Sequence, residues 1–258
     1  MLICILLFIV QHCHVAFAES STAGLPFTLS QLAKVNESSV PDVFPWLALV
    51  EAPKGRCSGV LIEKQTEQFI FTSSNCVLME QQVKLFSISR ASSKRVQVEF
   101  PALVKIKIGV HHYQAKSIYV SKDGNIALIK LKEKVKGANP VKLPAARIEL
   151  PTSVCYATYY ARRGESFYPF RDPIEQPEDC QAKGDTISCG PFKPEQILSD
   201  GSPLICQGSD ARWTLYGVLS DAKTEEQAIG KSIYLPASKY TEFISSASIG
   251  ALQPAPSI

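Results

Sequence analysis

The chain has 258 residues, of which 45% are hydrophobic and 20% are charged, and its formal net charge is +3. This is an ordinary globular composition, long enough for one large all-β domain or two small ones, and its core can be sizeable enough that the fold need not depend on disulfides alone. The nearly balanced charge favours no particular partner, and we expect neither a nucleic-acid partner nor a cofactor.

The N-terminus has the pattern of a secretory signal peptide. Residues 2–10 are almost wholly apolar, and Ala16-Phe17-Ala18 has the small-x-small form of a signal-peptidase site. We therefore expect residues 1–18 to be removed and the protein to be secreted. No later apolar run reaches the roughly 18 residues of a membrane-spanning helix, so no membrane span is expected.

Residues 19–40 are polar and lack a clear periodicity, so we interpret them as an N-terminal arm that resembles a propeptide. Within this arm, Asn36-Glu37-Ser38 is an N-glycosylation sequon. A glycan on Asn36 is therefore predicted, as expected for a surface position of a secreted protein.

From Trp46 onward, short apolar runs alternate with turn signals, and the runs are rich in β-branched and aromatic residues. The predicted strands are residues 46–50, 59–62, 69–72, 83–88, 96–100, 104–108 and 126–131. Many short strands at regular spacing predict a sandwich or a barrel.

The second half of the chain contains a loop-rich region, residues 161–200, whose five prolines should interrupt any strand there. A final strand pair, residues 214–220 and 232–235, follows it.

The chain is predicted to finish in a short helix over residues 237–246, with Ser238 as its N-cap. Residues 249–258 contain two prolines that prevent a regular end, so we expect a flexible tail.

One stretch of the chain is strongly basic and contains Glu99 as its only acid. Its basic residues are Lys84, Arg90, Lys94, Arg95, Lys105, Lys107 and Lys116. Such a stretch is typical either of a surface that binds a polyanion such as heparin or of ordinary solvated lysines on strands and loops. Both interpretations stay open at this point, and any polyanion binding is expected to be weak.

The cysteines agree with export. After signal removal six remain: Cys57, Cys76, Cys155, Cys180, Cys189 and Cys206. An even number in a secreted chain predicts three disulfides, although spacing alone leaves 15 pairings open. A zinc site is disfavoured because the chain has no C-x-x-C and, after the signal, only the histidines His111 and His112. Since adjacent residues of a strand point to opposite faces, this pair is expected to be solvent-facing or packed, and no metal is predicted.

Several segments form an ordered set over roughly residues 40–246. They are Phe44-Pro45-Trp46 with Cys57-Ser58-Gly59-Val60-Leu61-Ile62, Phe71-Thr72-Ser73-Ser74-Asn75-Cys76, Asn125-Ile126-Ala127-Leu128-Ile129-Lys130-Leu131, Leu198-Ser199-Asp200-Gly201-Ser202-Pro203-Leu204-Ile205-Cys206, Gly217-Val218-Leu219-Ser220 and residues 234–244. Taken together and in this order, they resemble the chymotrypsin/trypsin family of serine proteases. Each segment alone is a weak signal, and their combination is specific.

The resemblance implies an all-β fold of two six-stranded antiparallel barrels, with the site in the cleft between them and a short C-terminal helix. The homology domain would span residues 41–248, with a seam between the barrels near residues 140–150. The resemblance also implies the disulfides Cys57–Cys76, Cys155–Cys206 and Cys180–Cys189. The family's bridge beside its specificity pocket is missing, and Gln196 stands at one of its positions.

The resemblance places the three catalytic positions of the family at Asn75, Asn125 and Asp200. Serine proteolysis needs an activated hydroxyl, an imidazole that takes its proton and a carboxylate that orients the imidazole. Asn75, at the histidine position, has no pKa near neutrality and cannot act as a general base. Asn125 cannot stabilise an imidazolium, and the carboxylate of Asp200 is not a serine-like nucleophile. All three roles are expected to be lost.

Supporting positions also depart from the family pattern. Leu198 stands where a glycine amide is aimed at the oxyanion, and its side chain favours a different backbone angle. Ser199 replaces the aspartate that pairs with a new N-terminus after activation cleavage. Pro194 lies at the base of the expected pocket in place of an aspartate, and Asp221 replaces a tryptophan that lines the cleft.

We therefore expect that the protein is not an enzyme but a secreted serine protease homologue that binds another extracellular protein. The partner would be a protease, a substrate or an inhibitor in a proteolytic, immune or reproductive-fluid pathway. One alternative is an enzyme of different chemistry, in which Asp200 forms a carboxylate pair with Asp123 or Asp221. The other is an extracellular protein that binds polyanions.

Overall fold

The structure is a computed structural model that describes residues 45–82, 95–98, 101–145, 155–174, 180–190, 198–207, 212–220 and 231–255. Several predictions therefore concern positions outside the described residues. They are the signal peptide, the N-terminal arm with Asn36, the strand at 83–88, the basic residues Lys84, Arg90 and Lys94, and the positions Pro194, Gln196 and Asp221.

The described elements are almost all strands. They are β1 (Leu47–Ala52), β2 (Gly55–Lys64), β3 (Glu67–Ser73), β4 (Met79–Gln82), β5 (Arg95–Val98), β6 (Lys105–Ile108), β7 (His111–Val120), β8 (Ile126–Leu131), β9 (Cys155–Arg163), β10 (Ser166–Ile174), β11 (Cys180–Lys183), β12 (Thr186–Cys189), β13 (Pro203–Gln207), β14 (Trp213–Leu219) and β15 (Ser232–Pro236). One helix, α1 (Thr241–Ser248), follows the last strand.

The first half of the chain forms a closed barrel with the strand order β1-β2-β3-β8-β7-β6. Side chains of alternate residues point inward, as in β6, where Ile106 and Ile108 are buried and Lys105 is exposed. The β8 residues Ile126 to Ile129 are all buried because this strand is covered on both faces. β4 and β5 pair as a separate two-stranded sheet.

The second half forms a seven-stranded antiparallel sheet with the order β10-β9-β13-β14-β15-β12-β11. The predicted all-β, trypsin-like fold class is thus confirmed. Over the described residues the second sheet is open, whereas the resemblance implied six strands in a closed barrel. The additional length comes from the β11–β12 hairpin, which extends the sheet beyond β15.

The connecting segment near residue 140 joins the two sheets through backbone hydrogen bonds. The amide of Val141 donates to the carbonyl of Leu61 at 3.0 Å, and the amide of Leu215 donates to the carbonyl of Lys142 at 2.9 Å. The rings of Trp46 and Trp213 lie 6.3 Å apart at the same junction. These contacts connect the barrel to the second sheet and fix the edge of the cleft between them.

The predicted strand interruption by prolines is wrong for Pro169 and Pro173. Both lie inside the nine-residue strand β10, opposite Tyr160 and Tyr156 of β9. β10 is the terminal strand of the sheet and has a single strand neighbour, β9. A proline on such an edge removes no ladder hydrogen bond when its nitrogen faces away from that neighbour, which explains why two prolines are tolerated here.

Three disulfides connect Cys57 to Cys76, Cys155 to Cys206, and Cys180 to Cys189. These are the pairings that the resemblance implied. The first connects β2 to the turn after β3, and the other two connect directly opposed residues of paired strands.

The C-terminal helix differs from its prediction at both ends. Residues 237–240 form a 3-10 turn, α1 begins after Tyr240, and Ser238 therefore does not cap it.

The tail is held against the barrel up to Ala255. The amide of Ala255 donates to the carbonyl of Ile118 at 3.1 Å, and Leu252 packs against the core. No helix within the described ranges is long and apolar enough to cross a membrane.

Candidate functional site

The turn that precedes β13 lies between the barrel and the second sheet and carries Asp200. The amide of Ser58, on β2, donates to the carbonyl of Asp200 at 3.0 Å. On the other side, the amide of Gly201 donates to the carbonyl of Leu219, on β14, at 2.7 Å. The turn that carries Asp200 is thus held by backbone hydrogen bonds from both the barrel and the second sheet.

Gly201 is required by the shape of this turn. Its φ is +76°, in the left-handed region that glycine adopts without strain. A Cβ at this position would lie 2.1 Å from the carbonyl oxygen of Ser58 and 2.2 Å from the hydroxyl of Thr72. The close approach of the turn to β2 and β3 therefore needs a residue without a side chain at position 201. This requirement sets which position of the turn each of the residues 199–202 occupies.

Three serines, Ser58, Ser199 and Ser202, form a hydroxyl cluster under the turn. The Oγ atoms of Ser58 and Ser199 lie 2.6 Å apart, and those of Ser199 and Ser202 lie 3.4 Å apart. The Oγ of Ser58 also accepts a hydrogen bond from the amide of Tyr160, at 2.8 Å, and Ser199 donates to the carbonyl of Tyr160, at 3.3 Å. Neutral hydroxyls connect the turn to β2 and β9 at the position where the family pattern has an aspartate.

The serine cluster is a feature that sequence reasoning did not assign. Ser58 and Ser199 are 141 residues apart, and each stands where the resemblance has another residue: Ser58 in place of a glycine and Ser199 in place of an aspartate. The only sign of this cluster in the sequence was that both residues depart from the family pattern and that both carry a hydroxyl group able to hydrogen-bond to the other. The hydroxyls of Ser199 and Ser202 are committed to these contacts and to backbone carbonyls, with Ser202 fully buried.

Asn75 lies in a 3-10 turn, residues 74–76, directly after β3, and its side chain is exposed. Its Nδ2 donates to the carbonyl of Ser220 at 2.9 Å, and the Oγ of Ser73 donates to the same carbonyl at 2.9 Å. The turn is anchored by the disulfide at Cys76. Asn75 therefore reaches from the barrel to the residue that follows β14. Its amide nitrogen is a donor whose lone pair is delocalised into the carbonyl, so it cannot accept a proton as a base.

Asn125 lies in the exposed loop between β7 and β8. Its backbone forms hydrogen bonds with Ser74 and Asp123, not with Asn75. Its carbonyl accepts from the amide of Ser74 at 3.0 Å, and its amide donates to Oδ1 of Asp123 at 3.2 Å. At this site the loop is organised by Asp123 rather than by Asn125.

Asp123 connects its loop to the C-terminal helix region. Its Oδ1 accepts from the hydroxyl of Ser121 at 2.6 Å, and its Oδ2 accepts from the hydroxyl of Tyr240 at 2.8 Å, with Nζ of Lys239 at 3.6 Å. Burial opposes ionisation of Asp123, but the hydrogen bonds from Ser121, Tyr240 and Asn125 outweigh it and lower its pKa to about 2. Burial and the neighbouring Asp123 carboxylate together raise the pKa of Tyr240.

We expect the hydrogen-bonded Asp123 to make the protein less stable in acid. Its pKa is lower in the folded chain than the value of about 3.9 for an unfolded aspartate, so its contribution is present above about pH 4 and is lost as pH falls toward 2. The side chain is 32% exposed, and after screening we expect a contribution of about 1 kcal/mol. Unfolding by denaturant at pH 5 and pH 2.5 should show a smaller loss of stability for Asp123→Asn than for the natural protein, and equal losses would contradict this assignment.

The carboxylate of Asp123, named above as one partner in an alternative carboxylate pair, is engaged within its own loop and with the C-terminal region. Its Oδ1 accepts from Ser121 and from the amide of Asn125, and its Oδ2 accepts from Tyr240. Asp221, the other expected partner of Asp200, lies outside the described residues.

Leu198, at the expected oxyanion position, is buried with 1% exposure in the core of the second sheet.

The core of the second sheet also contains a buried carboxylate, Asp172 of β10, which the sequence analysis did not single out. Its Oδ2 accepts from the hydroxyl of Tyr159 at 2.8 Å. Burial, and then the negative charge of Asp172, raise the pKa of Tyr159, so this tyrosine stays a neutral donor.

The two histidines lie away from the cleft. His111 and His112 are both exposed at the start of β7, where His112 pairs with Lys107 and His111 with Ile108 of β6. Within the described ranges, no group of three histidine, cysteine or acidic side chains is placed to hold a metal ion.

A comparison with protein families agrees with this geometry. Residues 34–244 match the family model described as Trypsin, which is well over half of the 258 residues. The matched range contains the closed barrel, the second sheet and the turn that carries Asp200. By this match and by its fold, the chain belongs to the trypsin family.

Proposed function

We propose that the protein is a secreted, catalytically inactive member of the trypsin family that acts by binding another extracellular protein. It would regulate or assist a proteolytic, immune or reproductive-fluid pathway outside the cell. The proposal is supported by the turn between the two sheets, which hydrogen bonds from both of them hold in place. It is supported as well by Asn75, Asn125 and Asp200, which stand where the resemblance places the catalytic residues.

Loss of the chemistry follows from what each of these side chains can do. Asn75 donates its amide proton to the carbonyl of Ser220 and offers no basic nitrogen. Without a base, no hydroxyl in the cleft becomes a nucleophile, and Asp200 itself carries a carboxylate. The nearest serines in the chain, Ser199 and Ser202, use their hydroxyls to hold the turn.

Retention of the framework supports a role in binding. The turn before β13 is fastened to β2 by the serine cluster and by the close contact of Gly201, and none of these contacts uses a charged group or a new N-terminus. Binding surfaces gain affinity when they are ordered before the partner arrives. The three disulfides agree with an oxidising, extracellular compartment.

A fluorophosphonate probe, which reacts with activated serines, tests the loss of the nucleophile. We expect no covalent labelling of the natural protein under conditions in which an active trypsin is labelled to completion. The same assay on the variant Asn75→His/Asn125→Asp/Asp200→Ser shows whether the framework can still support the chemistry. Stoichiometric labelling of the natural protein, mapped by mass spectrometry to Ser199 or Ser202, would contradict the proposal.

A further inference from the structure

Five exposed lysines, which we name the basic face, lie together on the outside of the barrel. They are Lys105, Lys116, Lys132, Lys134 and Lys136. They come from β6, from β7 and from the segment after β8. Of the basic stretch singled out in the sequence, Lys105 and Lys116 belong to this face, and Lys132, Lys134 and Lys136 extend it.

The strand pairing brings these lysines to one surface. Gln114 of β7 lies directly opposite Lys105 of β6, and its Oε1 accepts from Nζ of Lys132 at 2.6 Å. Gln114 thus lies between Lys105 of β6 and Lys132 of the segment after β8. Its neighbours Tyr113 and Ala115 point into the barrel and are buried, so Gln114 lies on the outer side. Strands lie about 4.8 Å apart, so this row of three side chains spans roughly 10 Å.

Two further lysines of the face, Lys116 and Lys134, lie near the carboxylate of Glu67. Its carboxylate forms an ion pair with Lys130 at 2.7 Å. The hydrogen bond from Lys130, together with the positive charges of Lys130, Lys134 and Lys116, lowers the pKa of Glu67 despite the opposing effect of burial. Lys116 and Lys134 therefore lie within electrostatic reach of the same carboxylate. The lysines of the basic face outnumber the two acids in these segments, Glu67 and the exposed Glu133, which leaves a positive excess.

The charged residues are distributed unevenly along the whole chain. Residues 83–136 contain 12 lysines and arginines and three acids, whereas the rest of the chain contains 15 and 21. A net charge near zero thus conceals a basic stretch of sequence, residues 83–136, and an acidic remainder. Clustered charge of one sign attracts polyanions from a distance and is screened by salt.

We propose that the basic face binds a sulfated polysaccharide. Its cations are lysines, which bind sulfate and phosphate as point charges rather than in fixed bidentate geometry. Single-stranded nucleic acid is bound through aromatic platforms for the bases as well as through charge. Among the described residues, the one large aromatic side chain that is exposed is Tyr168, on β10 of the other sheet. Disulfides persist in extracellular compartments, so this choice of ligand rests on the secretion proposed above.

The test is a titration of the full secreted chain with a heparin fragment of defined length. The variant Lys116→Gln/Lys132→Gln/Lys134→Gln removes three charges from the basic face. The control Lys54→Gln/Lys122→Gln/Lys231→Gln removes three exposed lysines elsewhere and changes the net charge equally. We expect the first variant to bind heparin about tenfold more weakly, or worse, and the control to change little.

Each outcome decides the proposal. No binding of heparin by the natural protein at about 0.15 M salt overturns it, and so do equal losses in the two variants. A single-stranded DNA of matched charge that binds more tightly than heparin overturns the choice of ligand class. The same titration of the natural protein is repeated at several salt concentrations and requires no variant. An affinity for heparin that does not fall as the salt concentration rises also contradicts the proposal. Thermal unfolding of both variants shows whether they retain the fold.

Discussion

Replacing Gly201 by alanine should cost more stability than any other single change considered for this protein. The new Cβ would lie 2.1 Å from the carbonyl oxygen of Ser58, and the φ of +76° is itself unfavourable for alanine. Left-handed backbone costs an alanine about 1–2 kcal/mol, and displacing β2 or the turn brings the expected loss above about 3 kcal/mol. Denaturant unfolding with the disulfides intact measures it.

Gly164 provides a matched control for this prediction. Its φ is +63°, also left-handed, but a Cβ there would meet no atom within 4 Å. Gly164→Ala should therefore cost only the backbone contribution, about 1 kcal/mol. If the two alanine variants lose similar amounts of stability, the turn before β13 is not pressed against β2 as described.

Replacing Ser58 by alanine should produce the second large effect. Ser58 is fully buried, and removal of its hydroxyl leaves the amide of Tyr160 without its acceptor at 2.8 Å and Ser199 without its partner at 2.6 Å. Leaving a buried amide unsatisfied costs about 1–3 kcal/mol. Ser199 is half-buried and keeps its contacts with the carbonyl of Tyr160 and with Ser202, so we expect a loss of about 2 kcal/mol, mainly from the amide of Tyr160. Ser166→Ala, on the exposed edge of β10, should change stability by less than about 0.5 kcal/mol.

A double-mutant cycle separates the hydrogen bond from other effects of the substitutions. Because Ser58 and Ser199 bond directly, Ser58→Ala and Ser199→Ala should be non-additive by about 1–2 kcal/mol. Strictly additive losses would show that the two hydroxyls act independently, and the serine cluster could then not be the device that holds the turn.

The fold could be predicted from the sequence because its signals are local and keep their order. The apolar run from Ile126 to Leu131 coincides with β8, and the ordered motifs around Cys57, Cys76 and Cys206 carry the family resemblance. The prolines of β10 misled the prediction because tolerance of proline depends on whether a strand lies at the edge of a sheet. Strand order is a property of the assembled sheet and cannot be seen in the strand itself.

The candidate site was predictable in its positions but not in its contacts. The replacement of a histidine by Asn75 is visible in the sequence, whereas its hydrogen bond to Ser220 joins residues 145 positions apart. Asp123 was singled out only as a carboxylate partner for Asp200, whereas its observed hydrogen bond from Tyr240 spans 117 positions. Such long-range partners depend on how the barrel, the second sheet and the helix pack, and no local pattern encodes them.

The central claim is that this trypsin-family cleft binds without cutting, and hydrolysis by the natural protein tests it most directly. The purified secreted chain is incubated with a broad library of peptide substrates, beside the variant Asn75→His/Asn125→Asp/Asp200→Ser and an active trypsin. The account predicts no cleavage by the natural protein at any peptide bond. Turnover that survives repurification and scales with the concentration of the natural protein would contradict it, because it would require catalytic groups other than those at Asn75, Asn125 and Asp200.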